Sequence, residues 1–123
     1  MGALDGLFDG LSLLATCTVR VLRRRKVGSD EYNAPLWGAW EPEDVSGVIA
    51  TPGATADLEA SRPEGVTVAM TFHFPKGYGK PLKGCRILWE GREHRVVGDP
   101  QPYMAENVPG PVNMPVECEA CDG

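Results

Sequence analysis

The sequence has no run near the ~20 consecutive apolar residues that a membrane-spanning helix needs, which removes an integral helical membrane protein. Its N-terminus carries no basic region ahead of an apolar patch and no small-residue cleavage signal, so a secretory leader is not expected. There is no glycine loop of the phosphate-cradling kind followed by a helix. Ser12, Ser29, Ser46 and Ser61 sit beside no base and orienting group of the type that nucleophilic catalysis requires. Cysteine is scarce and unpatterned. Cys118 and Cys121 have the spacing of half a zinc knuckle, but Cys17 and Cys85 are isolated and supply no second pair. We expect reduced thiols, no metal, no cofactor and no enzymatic activity.

What is present points to a β protein. The chain has 123 residues, enough for one domain, and its 15 glycines and 11 prolines suit short strands with many turns. The formal net charge of -5 argues against a general nucleic-acid coat. Charge is nonetheless blocked. Arg20, Arg23, Arg24, Arg25 and Lys26 form a positive run; the chain through residue 65 is then acidic; residues 66–99 turn basic again. Opposite-signed blocks suit a molecule that meets copies of itself or charged neighbours, and equally an ordinary solvated surface.

Periodicity divides the chain into a 1–15 N-terminal arm, a 16–119 β-barrel domain and a 120–123 tail. In the arm, Leu4, Leu7, Phe8, Leu11 and Leu14 fall at near-helical spacing, while Gly2, Gly6 and Gly10 weaken a helix. The segment reads as a short helical arm or a frayed end. Residues 16–25 read as the first strand, with Cys17, Val19 and Val21 on one face. Residues 26–44 read as a long loop broken by Gly28, Pro35, Gly38 and Pro42, yet rich in aromatic surface from Tyr32, Trp37 and Trp40. Strands are expected over 45–51 and 66–74, the latter with Val66, Val68, Met70, Phe72 and Phe74 on one face. A hairpin is expected over 85–97, turning at Gly91-Arg92 as type II′. The last strand, 112–119, contains Pro115, which marks it as an edge or a bulge. The expected fold is all-β: a small barrel of about six strands with long loops. His73 and His94 are expected at the surface or an interface. An oligonucleotide-binding barrel is disfavoured because the loop aromatics lie among acidic residues.

A more specific reading comes from residues Asp57-Leu58-Glu59, the run from Arg62 to Val68, Phe72-His73-Phe74-Pro75-Lys76-Gly77, Gly84-Cys85, Arg95-Val96-Val97-Gly98-Asp99-Pro100, Tyr103, and Asn107 through Pro115. In this order they resemble the head-to-tail stopper (head-closure) proteins of siphophages, the long-tailed bacteriophages. The resemblance covers roughly residues 45–119. It departs near the end, where Val112 stands in place of an aromatic and Met114 in place of a basic residue.

The resemblance implies a structural protein of the virion neck, assembled in the bacterial cytoplasm, with no membrane partner. Copies would form a ring, read as a hexamer, between the portal-side head-tail adaptor and a tail terminator or tail tube protein. That ring would retain packaged double-stranded DNA and open for its passage. Glu31, Tyr32, Trp37, Trp40, Glu41, Glu43 and Asp44 are the expected gate facing the lumen. Asp99, Pro100, Tyr103, Asn107 and Pro111 are the expected docking surface. A tail-completion or tail-terminator neck protein is the alternative of the same class.

Overall fold

The computed structural model describes residues 16–55, 58, 62, 65–108 and 110–121. The expected helical arm at 1–15, and Asp57, Glu59, Pro63 and Glu64 of the resemblance, lie outside them. The described residues form eight strands: β1 (Cys17–Arg23), β2 (Lys26–Ser29), β3 (Pro35–Trp37), β4 (Glu41–Pro52), β5 (Met70–Pro75), β6 (Arg86–Trp89), β7 (Arg92–Val96) and β8 (Val112–Ala120). Six of them close an antiparallel barrel in the order β1-β4-β5-β8-β7-β6, and β2 and β3 pair separately as a hairpin.

The barrel closes because alternate residues along each wall strand are apolar and face inward. Val19 and Val21 from β1, Val48 from β4, Phe72 and Phe74 from β5, Ile87 from β6, and Val116 and Cys118 from β8 are all fully buried. Leu82, from the loop between β5 and β6, joins the same core. Phe72 meets the rings of Trp89 and His94 edge-on, at centroid distances of 5.9 and 5.3 Å. His94 is thus a core residue, contrary to the surface position expected. Its Nδ1 lies 3.3 Å from the Ile87 carbonyl oxygen. The turn of β6–β7 puts it inside: the period-two count from Ile87 carries across the hairpin to its partner, His94.

Three other elements differ from expectation. The long loop at 26–44 is mostly regular structure: β2, β3 and the first third of β4. Its residues are exposed on both faces of the hairpin, and Val27, Leu36 and Trp37 do not alternate with a buried face, so no periodicity betrays it. Local turn chemistry makes it instead. Asp30 Oδ1 accepts the amides of Tyr32 and Ala34 at 2.8 and 2.9 Å, and Asn33 takes a left-handed φ of 64°. That is a type I turn closed by an αL residue, a common hairpin connection.

β4 runs twelve residues because Gly47, at φ 76°, lets it bulge opposite Thr18. Its first part pairs with β1, as far as Val48 opposite Cys17 just past the bulge, and Ile49 to Pro52 pair with β5. β5 starts at Met70 rather than at residue 66; beyond Met70 the ladder ends in two single bonds, the Gly53 amide to the Ala69 carbonyl and the Ala69 amide to the Cys118 carbonyl, each 2.9 Å.

The β6–β7 connection is Glu90-Gly91, with Trp89 opposite Arg92. Both central residues have positive φ, 50° and 75°, so the turn is type I′ and not the type II′ expected. β8 is flanked on both sides, by β5 and β7. Pro115 is tolerated because the ladder to β7 has already ended at Cys118, leaving only β5 beside it.

Candidate functional site

The seven residues expected in one gate loop fall into three groups. Glu31 and Tyr32 occupy the tip of the β2–β3 hairpin, where Tyr32 is 83% exposed. Glu41, Glu43 and Asp44 belong to β4, part of the barrel wall. Trp37 ends β3, and Trp40 leads into β4.

The β4 carboxylates are not a free acidic field. β1 lies antiparallel beside them, and arginines of β1 and of the turn that follows it answer each one. Arg20 Nε donates to Asp44 Oδ1 at 2.9 Å, directly across the ladder. Arg25 Nη2 donates to Glu41 Oε1 at 3.0 Å. Arg23 lies 3.5 Å from Glu43 Oε1, which also accepts from the Tyr78 hydroxyl at 2.7 Å, and Lys80 holds the other carboxylate oxygen. The Lys80 and Tyr78 donors hold the Glu43 carboxyl below its ordinary pKa. Burial pushes the Tyr78 hydroxyl up. This network pins the loop before β6 to the end of β1, because Arg23 Nη2 also donates to Tyr78 Oη and to the Pro81 carbonyl, at 3.0 and 2.9 Å.

The two tryptophans likewise sit among cations. The Arg24 guanidinium lies over both indoles, 5.0 Å from the Trp37 centroid and 4.5 Å from that of Trp40. Arg86 approaches Trp40 at 5.1 Å. The acidic surroundings expected of these aromatics are therefore corrected to basic ones, through β1 and β6, which the linear order does not show. The signal available in the sequence was the arginine run at 23–25, which a strand placed at 16–25 delivers to the base of the neighbouring hairpin.

The docking residues also separate. Asp99, Pro100 and Tyr103 line a cleft of about 370 Å³ whose floor includes Arg62 and Glu117. Tyr103 is tied to β8 through its backbone: its amide donates to the Asn113 carbonyl at 2.8 Å, and Asn113 Nδ2 donates to its carbonyl at 2.6 Å. Asn107 ends a short 3-10 turn, Ala105–Asn107. Pro111 accepts the Lys76 amide at 2.9 Å, away from that cleft. The segment between β7 and β8 is thereby held against the outer face of β8 at Tyr103; Asn113 is buried there and Glu117 is buried under Arg62 and Thr55, although both point away from the core.

The scan against protein-family models finds no match. A search of curated proteins likewise finds none. The site must be read from its own geometry. Among the described residues no three His, Cys, Asp or Glu side chains are grouped to hold a metal ion. Cys118 faces the core, and burial pushes its thiol far up; burial raises Cys85 as well. The two half-knuckle cysteines are thus divided between the barrel interior and the strand end. Sequence reasoning singled out Arg24 in the positive run and Arg62 in the resemblance, but passed over their partners: Glu117, which Arg62 meets across the outer face of β8, and Arg86, which shares Trp40 with Arg24.

Proposed function

We propose that this protein is a head-to-tail stopper of a long-tailed bacteriophage: a structural ring subunit, six copies in our reading, that retains packaged DNA and opens for its passage. The observation that carries the reading is, among the described residues, a closed barrel with a two-stranded hairpin standing outside its wall. Closure leaves the barrel wall without a free pairing edge, so contacts with other chains fall to the projecting segments. The hairpin bears Val27, Tyr32, Leu36 and Trp37, all substantially exposed apolar or aromatic side chains. The ordered sequence Val96-Val97-Gly98-Asp99-Pro100 with its proline-rich sequel supports the same assignment by resemblance.

The gate narrows to the hairpin. With Glu41, Glu43 and Asp44 held in ion pairs on the wall, the charge left to face a lumen is that of Asp30 and Glu31 at the tip. Copies arranged around an axis would bring these tips together, with Tyr32 as the bulk that narrows the bore. Like charge there discourages phosphate adhesion. The segment between β7 and β8, with Asp99, Pro100 and Tyr103, is the docking face toward the adaptor or the tail. Extended proline-rich backbone loses little entropy on docking.

The deciding experiment is removal of the gene from the phage that carries it. Heads should fill and then lose their DNA, unjoined to tails, and the cloned protein should restore them. Particles that lack the chain yet keep their genome and infect would overturn the assignment. Imaging of the neck in complete particles locates the ring directly.

A further inference from the structure

Three consecutive arginines, Arg23, Arg24 and Arg25, run from the end of β1 into the turn toward β2, and Lys83 faces them from the loop before β6. Between them lies a cleft of about 320 Å³, bounded also by Trp37 and Pro81. Four of its lining residues are cationic and none is a carboxylate.

The four cations are not equally free. Arg23 is held by Tyr78, Pro81 and Glu43. Arg25 pairs with Glu41, but both side chains stand in solvent, 77% and 59% exposed, so that bridge exchanges readily for another anion. Among the described residues Arg24 and Lys83 meet no carboxylate. Arg24 is instead positioned by cation–π contact with Trp37 and Trp40, which uses none of its five N–H donors. A guanidinium fixed in place with its donors unspent is a pre-organised anion receptor. Trp37 itself is 49% exposed, and so offers indole surface beside the cations.

We propose that this cleft binds single-stranded nucleic acid, with phosphates on Arg24, Arg25 and Lys83 and one base against the open part of Trp37. An acidic peptide would answer the cations but leave the indole unused. A nucleotide unit presents both a charge and a flat π face, which is the pairing that single-strand sites combine. The proposal does not rest on the stopper assignment; it concerns the base of the hairpin, not its tip.

Fluorescence anisotropy with a labelled oligothymidylate and the full chain tests it, beside the matched duplex and with polyglutamate as competitor. Binding of the single strand should weaken with salt, log K against log salt falling with a slope of about -2 for three phosphate contacts. Lys83→Glu, which alters a side chain without a fold-internal partner among the described residues, should cost at least about tenfold in affinity and reduce the slope by about one. Trp37→Ala should cost about tenfold with the slope unchanged. No binding of the single strand at low salt by folded protein would overturn the proposal. So would an affinity that Lys83→Glu leaves alone, equal or tighter binding of the duplex, or displacement by polyglutamate at matched charge.

Discussion

Arg62 grips Glu117 with two donors, Nε to Oε1 at 2.9 Å and Nη2 to Oε2 at 2.7 Å, on the outer face of β8. Glu117 is only 2% exposed and also accepts the Thr55 amide at 2.8 Å, while Arg62 Nη2 donates to the Thr55 carbonyl at 3.0 Å. One ion pair thus fastens the excursion after β4 to the barrel. Removing a single partner strands the other charge, so Arg62→Ala or Glu117→Ala should each destabilise by roughly 3 to 5 kcal/mol. The double change Arg62→Met with Glu117→Leu should cost far less than the sum. Urea unfolding midpoints of the three variants measure this, and additive losses would contradict it.

Glu90 carries a φ of 50° in a type I′ turn, a conformation that favours Asn or Gly. It is exposed and contributes no ion pair among the described residues. Glu90→Asn should therefore stabilise the protein by about 1 kcal/mol. Gly91→Ala, at φ 75° with open space around it, should destabilise by a similar amount through backbone strain alone. Thermal melts of the two variants should shift in opposite directions.

Stability should fall on mild acidification. Burial depresses the His73 imidazole below its ordinary value near 6.5, and its Nε2 lies 3.3 Å from the Thr51 hydroxyl. That hydroxyl gives its own proton to the Thr71 carbonyl, so it accepts from a neutral His73. A depressed folded-state pKa means that the unfolded chain binds the proton first. The contribution is complete above the unfolded value and is lost as pH falls below it toward the folded one. Glu43, lowered by Lys80 and Tyr78, adds a second loss further down, below its ordinary value near 4.5. Unfolding free energy measured against pH should decline in those two windows, and His73→Gln should remove the first only.

The hairpin tip is separable from the fold. Replacing residues 30–34 by Asn-Gly shortens the turn without touching a barrel strand, so the melting temperature should stay close to that of the parent chain. Under the stopper assignment, virions carrying the shortened hairpin should assemble and leak DNA, seen as a rise in empty particles. Full retention with a normal melt would remove the gate from the hairpin while leaving the ring in place.

Strands whose inward residues alternate with polar ones are legible directly. Val19 and Val21, Phe72 and Phe74, and Met114, Val116 and Cys118 announce β1, β5 and β8 because a half-buried strand imposes period two on side-chain polarity. The hairpin β2–β3 and the first part of β4 were not legible that way. Neither face of the hairpin is buried, and Glu41 to Asp44 are held by β1 arginines rather than by apolar packing. His94 was misplaced for a different reason: on either placement of the turn it shares a face with Ile87 and Trp89, and its polar type masked that inward position.

By itself the amino-acid order determined the all-β class, the strand-forming apolar alternation and the glycine and proline positions where the chain must turn. These are properties of each residue and its near neighbours. Which charges meet which was decided only when the barrel closed. Closure set β1 beside β4 and β6, turned the aromatics from acidic company to Arg24 and Arg86, and neutralised the wall carboxylates. Electrostatic partners depend on distance in space, and antiparallel pairing brings together residues some twenty or more positions apart that no local pattern relates.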